Sequence, residues 1–500
     1  MSKAIQVPPE DLDQAFSTPP HRCLIIGAGE AGRMMARDLR RTPEHGLLPV
    51  GFVDDDRGHR AVQGLRVMGG TADLARIAVE CAVDVVIIAI PSMGASEINQ
   101  LARTAAAVGV VVRYLPSFVA ALERDARVSD LRGLNVDKLL GRSELHVLRS
   151  ASASVVTGRT LLVTGAGGSI GSELCRQIKG FKPAALYLLD HDESNLHRLQ
   201  MQLSGEALLD SDELIIADIR DGDRVRQVFR DVRPDVVFHA AAHKHLPLLE
   251  RHPCEAVKSN VAGTLNLVRA ALAVGTDRFV LISTDKAADP VSVLGATKRL
   301  AEMVLQANVG GCTRFASVRF GNVLGSRGSF LSVLAEQMES GAAVTVTHPE
   351  VTRFFMTVEE AVGLVMEAAS LAEGGETFVL DMGEPVRIVD LVRNYAAQLK
   401  VSERDLKIRY TGLRSGEKLR EALFSQFEER RPTSHPRIWA TSPRLPGAKF
   451  DELLTRLCDV AEMNQTAEVR RRLAQLLPEY TAPSLTETAP ALGALYPDDF

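Results

Sequence analysis

Thr284, Asp285 and Lys286 stand side by side where an apolar run, FVLIS, ends, and Lys298 follows on a segment with helical character. A hydroxyl, a carboxylate and an ammonium in consecutive positions can take up, hold and return protons. If the apolar run is a buried strand of an open parallel sheet, its carboxyl end is where ligands sit. A second reading is open at this point: Asp285 caps the next helix and Lys286 is solvated. The elements around these residues must decide between the two.

The chain has 500 residues, enough for two or three domains, and 46% of them are hydrophobic, an ordinary globular composition. A formal net charge of −5 offers no basic field for nucleic acid. The longest apolar runs are of strand length, so no transmembrane segment is expected. The first twenty residues form a polar, Pro-containing lead-in without a signal-peptide core. The six cysteines form no CxxC pair, so neither a metal site nor a disulfide framework is expected, and a cytoplasmic location is.

The expected fold class is α/β: two Rossmann-like doubly wound parallel-sheet domains, the second with a C-terminal substrate-binding subdomain. The first, 21–150, opens with a strand, GAGEAG (Gly27, Gly29, Gly32), a helix and a second strand ending in Asp54. That order matches a dinucleotide fingerprint, but a fingerprint alone leaves its ligand undefined. The run SASAS, 150–154, is small and polar and reads as a linker. The second domain, 155–445, places cofactor binding in 160–300 and substrate binding mainly in 320–430. Residues 446–500 read as an extension with a poorly ordered tail.

The cofactor site is the more explicit. The strand TLLVT runs into GAGGSIGSE, with Gly165, Gly168 and Gly171 spaced GxxGxxG and Ser169 and Ile170 at the helix start. Such a turn lets a pyrophosphate approach a helix N-terminus. The next strand ends at Asp190, placed to bond an adenosine ribose hydroxyl, so NAD is expected and NADP is disfavoured by charge. A helix N-cap is the other reading of Asp190. Asp218 and Ile219 end the third strand. Ala240, Ala241 and Ala242 let backbone lie against a flat ligand, and Asn260 lies on the helix that follows. Beyond the sixth strand, Arg and Lys in HPEVTRFFM and TGLRSGEKL suit a diphosphate, although singly such residues are more often solvated.

GAGGSIGSE, AAHKHLPLLE, STDKA, GATKRLAE, RFGNVLGSRGS, VTHPEVTRFFM, FVLDMGEPVRI and LRSGEK occur in this order. Together they resemble the large UDP-N-acetylglucosamine 4,6-dehydratases of the extended short-chain dehydrogenase/reductase family, which serve bacterial polysaccharide synthesis. The resemblance covers roughly residues 155 to 430 and extends more loosely to the N-terminal unit. The large branch usually carries N-terminal membrane helices, which this chain lacks, so tethering is not implied. The family's wider signature is YxxxK; four residues before Lys298 stands Leu294, where the large dehydratases usually carry Met.

What the resemblance implies is a redox-neutral dehydration. C4 is oxidised, H5 and the C6 hydroxyl leave as water, and C6 is then reduced, with NAD bound throughout. Asp285 is implied as the acid for the C6 hydroxyl, Lys286 as the base for H5, and Lys298 as the holder of the nicotinamide ribose. Thr284 can bond the C4 hydroxyl. For Lys286 to act as a base its pKa must fall, by burial or a cationic neighbour such as Lys298. With Leu294 unable to ionise, Asp285 or a water held by Thr284 must take the C4 proton. Lys244, Asn322, Arg353, Arg414 and Lys418 are carried over as candidates for the UDP-sugar, with a bracing role open for Arg353. A homodimer or higher homo-oligomer is expected, with the helix bearing Lys298 as the contact element. A UDP-sugar 4-epimerase and a non-catalytic nucleotide-binding regulator are the competing readings.

Overall fold

The computed structural model describes residues 21–42, 46–56, 61–90, 93, 97, 101, 104–105, 108–115, 132–133, 150–205, 209–324, 333–334, 337, 342–398, 406–442 and 445–481. The chain divides into two compact units, Met1–His146 and Val147–Phe500.

In the first unit a five-stranded sheet runs Leu47–Val53, His21–Ile26, Val85–Ile88, Val111–Tyr114, Arg132–Gly133. The first four strands are parallel and the last is antiparallel. Val85–Ile88 is buried throughout, as a central parallel strand covered on both faces must be. Helix Glu30–Arg41 leaves the first strand through the glycine turn. A Cβ at Gly32 would lie 1.9 Å from the Gly27 carbonyl oxygen, so only glycine permits that approach. Asp54 accepts a hydrogen bond from the Ala28 backbone N–H at 2.5 Å and so ties the second strand to this turn.

The second unit is built on a nine-stranded sheet in the order Leu214–Ile216, Ala185–Asp190, Thr160–Thr164, Val236–His239, Arg278–Ile282, Arg314–Arg319, Glu376–Leu380, Ile438–Thr441, Arg430–Pro432. The first seven are parallel; Ile438–Thr441 runs antiparallel to its neighbour Glu376–Leu380, and Arg430–Pro432 antiparallel to Ile438–Thr441. The chain starts in the middle at Thr160–Thr164, winds outward to one edge, then returns past the start to Val236–His239. The crevice at that reversal is the topological switch point of the sheet. Leu161, Leu162, Val163, Val237, Phe238, Phe279, Val280 and Leu281 are fully or almost fully buried, which accounts for the unbroken apolar runs in the sequence.

Beyond Arg314–Arg319 the chain also makes two-stranded pairings outside the main sheet. Asn322–Leu324 pairs with Phe355–Thr357, Thr352–Arg353 with Val386–Arg387, and Val344–Val346 with Ile408–Tyr410. The first of these pairs follows directly on the carboxyl end of strand Arg314–Arg319.

Two expectations change, and the region after 445 gains detail. SASAS does not form an open linker: Ser150–Val156 is helical, with Val155 and Val156 buried, and it packs on helix Val358–Leu371. Residues after 445 are largely ordered as helices Phe450–Glu462 and Thr466–Leu476, while the tail from 482 lies outside the described residues. Phe450, Leu454, Leu457, Ala461, Val469 and Leu473 of this pair join one apolar cluster with Leu294, Leu300 and Val304. The helix Val293–Gln306, which carries Lys298, is consequently buried at 13 of its 14 positions. The helix expected to meet a second copy is covered instead by the chain's own C-terminal helices.

Candidate active site

The glycine turn is the tightest part of the second unit. Gly165 has φ +67°, and a Cβ there would meet the Ala241 backbone nitrogen at 2.6 Å; one at Gly171 would lie 2.1 Å from the Gly165 carbonyl oxygen. The first strand, its helix and the Ala240–Ala242 loop therefore close on each other with no side chain between them. Asp190 accepts from the Gly167 N–H at 2.8 Å and from the Asp192 N–H at 3.1 Å. The N-cap of helix Glu193–Ser204 is Asp192, so Asp190 is not the cap. Gly165, Gly168, Asp190, Asp218, Ile219 and Ala240–Ala242 line one cleft of about 200 Å³. Asp218 is gripped by Arg220 through two guanidinium nitrogens. Burial raises the Asp218 pKa, but the hydrogen bonds from Arg220 and its charge outweigh this and lower it.

Asn260 sits on a π-helical stretch, Val257–Gly263, within a longer helix. Its side chain accepts from the His243 N–H at 2.9 Å and donates to the His243 carbonyl and to Thr297 Oγ1. It thus clamps the loop that carries Ala240–Ala242 from behind and acts on the cleft through that loop.

A second and larger cavity, about 550 Å³, adjoins the first. Gly168, Ser169, Ile170 and Gly171 line it from one side, and Lys244, Thr284, Lys286, Leu294, Lys298 and Asn322 from the others. It is shaped further by His243, His245, Phe320, Gly321 and Phe355, which the sequence reading did not single out as site residues.

The strand-end group is compact. Strand Arg278–Ile282 delivers Ser283 and Thr284, and a single 3₁₀ turn, Asp285–Ala287, follows. Asp285 is fully buried. Its Oδ1 accepts from Thr284 Oγ1 and from Lys286 Nζ, each at 2.9 Å. Its Oδ2 is buried and has no hydrogen-bond partner among the described residues. The N-cap of the helix that bears Lys298 is Ser292, so the capping reading of Asp285 does not hold. Nor is Lys286 solvated: its side chain is 19% exposed and flanked by two carboxylates, Asp285 and Glu421.

The expectation that Lys286 is neutralised beside Lys298 is corrected by this arrangement. Burial works against the ammonium, but the charges of Asp285 and Glu421 and the hydrogen bond to Asp285 outweigh it, so the Lys286 pKa is raised. It is Lys298 that is lowered, to about 8, by burial with only partial relief from Glu302. Lys298 Nζ donates to the Ile282 carbonyl at 2.6 Å, which holds it across the base of the cavity.

Of the remaining candidates, Lys244 and Asn322 reach the cavity. Arg353 is 6% exposed and braces its surroundings, donating to the Thr352 carbonyl and to Glu417 Oε1, both at 2.7 Å. Lys418 donates to the Ala288 carbonyl at 3.0 Å. Arg414 is exposed; its backbone N–H donates to Glu417 Oε2. None of these three is among the residues that line the cavity. Glu421 was not singled out, because nothing in the motif LRSGEK marks a carboxylate three residues beyond Lys418 as facing Lys286.

A doubly wound parallel sheet, a glycine turn at its switch point and a Thr-Asp-Lys group at the end of the fifth parallel strand define an extended short-chain dehydrogenase/reductase fold. The chain belongs to the polysaccharide biosynthesis protein family, whose profile matches residues 161–443. Residues 18–116 match a family described as a CoA-binding domain. The capsular polysaccharide biosynthesis protein CapD of Staphylococcus aureus is 41% identical over 412 residues, 81% of this chain and 69% of that protein. A UDP-N-acetylglucosamine 4,6-dehydratase (inverting) of Campylobacter jejuni is 31% identical over 293 residues, 57% of this chain and 84% of that one. A UDP-glucose 4-epimerase of Rickettsia bellii is 32% identical over 280 residues, 54% of this chain and 79% of that one. Among solved structures, Pen from Bacillus thuringiensis superimposes with a TM-score of 0.53 at 32% identity, over 58% of this chain and 89% of that one. Among the described residues no helix is long and apolar enough to cross a membrane, and no cluster of metal-ligating side chains occurs.

Proposed function

We propose that this chain is a nucleotide-sugar dehydratase that removes water across C5 and C6 of UDP-N-acetylglucosamine with NAD as its resident cofactor. The observation that carries the reading is the Thr284–Asp285–Lys286 group, hydrogen-bonded as one unit beside a cavity where Leu294 supplies no ionisable side chain. An enzyme that only inverts C4 has no use for a second proton-transfer pair; elimination requires one.

The first cleft fits a dinucleotide. Backbone closes on backbone at Gly165 and Gly171, leaving a cradle that a Cβ would fill, and Asp190 stands at its end. Gly165, Gly168 and Gly171 would face the pyrophosphate, Asp190 the adenosine ribose, and Lys298 the nicotinamide ribose. Asp190 favours NAD over NADP by charge, a preference that competitive binding of the two would measure. Bound there, NAD would supply a hydride acceptor for C4 and a hydride donor for C6.

Every proton step is assigned to the chain. Thr284 already donates its hydroxyl hydrogen to Asp285, so its oxygen is turned to accept from a C4 hydroxyl in the cavity. A proton passed along that line reaches the Asp285 carboxylate, which can then release it to the departing C6 hydroxyl. Lys286 takes H5 and later returns a proton to C5. Lys244 and Asn322 are the best placed of the candidates to hold the substrate.

Incubation with UDP-N-acetylglucosamine tests the reading. Dehydration lowers the product mass by one water, epimerisation leaves it unchanged, and a binding protein leaves the substrate intact. Asp285→Asn is expected to lose oxidation and elimination together, by about 10²-fold or more. Leu294→Ala is expected to keep most of the activity. A folded, NAD-binding Leu294→Ala protein without activity would count against the assignment of the C4 proton.

A further inference from the structure

Glu421 has no place in the proton steps above, yet it is one of the most enclosed carboxylates near the cavity. Its side chain is 2% exposed. Its Oε1 lies 3.8 Å from Lys286 Nζ and its Oε2 lies 4.0 Å from Lys418 Nζ. Oε2 is buried with no hydrogen-bond partner among the described residues, which is costly for a carboxylate unless the group changes charge or partner. Lys286 therefore stands between two carboxylates, hydrogen-bonded to Asp285 and just out of hydrogen-bond range of Glu421. Lys418 and Arg353 also face Glu421; each is engaged elsewhere, Lys418 by the Ala288 carbonyl and Arg353 by Glu417.

A lysine held as an ammonium cannot remove H5. The ammonium must first lose a proton to something close, and Asp285 is the group that must receive the C4 proton. We propose that Glu421 is a positioning residue for proton transfer, accepting a proton from Lys286 Nζ so that the amine is neutral when the substrate is oxidised. An N–H bond of the ammonium breaks and an O–H bond forms on Glu421, leaving a neutral amine and a neutral carboxylic acid. The amine then takes H5 and becomes an ammonium again. When that proton returns to C5, the proton on Glu421 goes back to Lys286, and no net charge or proton is left over. Burial and the nearby Asp285 charge favour the protonated carboxyl, while Lys286, Arg353 and Lys418 oppose it; on balance the Glu421 pKa is raised. The inference rests on the dehydratase reading for its chemistry, but the coupling of Glu421 to Lys286 is measurable without substrate.

The test uses the full chain and the variants Glu421→Gln and Glu421→Asp. With UDP-N-acetylglucosamine in deuterated water, Glu421→Gln is expected to reduce its bound NAD, seen by absorbance, while deuterium entry at C5 and dehydration fall by about 10²-fold or more. Glu421→Asp should recover most of the exchange, and the acid limb of the wild-type pH profile should move in it. Undiminished deuterium entry in Glu421→Gln overturns the inference. If the wild type leaves the sugar nucleotide unchanged, the dehydratase reading fails, and nuclear magnetic resonance of ¹³Cε-labelled lysine decides the coupling. The Lys286 signal, assigned by its loss in Lys286→Met, should titrate lower in Glu421→Gln because a neighbouring negative charge is gone, so a fall in exchange there cannot come from a more tightly held lysine proton. An unmoved Lys286 titration overturns the inference. Should Glu421→Gln fail to fold, Glu421→Ala is read by the same two measurements, and undiminished deuterium entry or an unmoved Lys286 titration in it overturns the inference.

Discussion

Lys298 is the residue whose environment departs most usefully from what its type prefers. It is 6% exposed, bonded to a backbone carbonyl, and holds its proton only up to about pH 8. In the unfolded chain it would hold that proton up to its ordinary value of 10.5. Between the two values the unfolded state binds more protons, so this group adds stability as the pH rises and penalises folding below about 8. The stability gap between wild type and Lys298→Met should thus move in favour of wild type by about 3 kcal/mol from pH 7 to pH 10.5. Urea unfolding at a series of pH values measures it; a constant gap would show that burial does not set the charge of Lys298. A buried ammonium kept at such a cost is a mark that fits the role proposed for Lys298. Asp285 shows the same mark in geometry, with one carboxylate oxygen doubly bonded and the other left without a partner.

At the scale of elements, the helix Val293–Gln306 is anchored to the sheet beneath it by a buried ionic group. Glu302 accepts from Arg319 through two nitrogens, from Arg299 and from Ser283. Arg319 is fully buried in strand Arg314–Arg319 and also meets Glu428. Burial raises the Glu302 pKa, but Arg319, Arg299 and Ser283 outweigh it and bring it to about 2. The folded value lies below the ordinary 4.5, so the stabilisation is complete above about 4.5 and is lost as the pH falls toward 2. Glu302→Gln leaves the buried charge of Arg319 with Glu428 alone and should cost about 3 kcal/mol at pH 7, with the difference from wild type shrinking in acid. Chemical denaturation at pH 7 and pH 3 checks both parts. An equal loss at both values would mean that lost packing, not lost charge, is responsible. This pair fixes the helix that presents Leu294 and Lys298, so its strength is felt at the cavity.

On the scale of the whole molecule, the C-terminal helices complete the second unit. Leu457 and Leu473 are fully buried in the cluster that includes Leu294, Leu300 and Val304. Arg470 reaches Glu250, and Glu250 in turn accepts from the Val293 N–H at the head of the same helix. Arg299 lies 3.7 Å from Glu479. Leu457→Ala should therefore destabilise the unit by about 2–5 kcal/mol, although the residue lies far along the chain from every motif. Thermal unfolding measures the loss; a change within about 0.5 kcal/mol would mean that the pair of helices is an appendage.

The sequence by itself determined the parts whose chemistry is local. Strand, glycine turn, helix and Asp190 lie within one short stretch, and the steric need for glycine at Gly165 and Gly171 acts between near neighbours. The order of elements likewise implied the doubly wound sheet, because parallel strands need crossovers and both faces covered. The adjacency of Thr284, Asp285 and Lys286 was visible in the same way. Only the tertiary structure decided how those groups are charged and who their partners are. Lys286 rests as an ammonium chiefly through its neighbour Asp285, and Glu421, distant in sequence, folds to within 3.8 Å of it as a second carboxylate. Arg353 and Lys418 turn to backbone and carboxylate partners that no spacing rule connects to them. The helix Val293–Gln306 is sealed by residues beyond 445, whose mixed composition hid their amphipathic faces. Charge state and packing depend on distances in space, and a chain that returns to its own strand ends from far away sets those distances only when it folds.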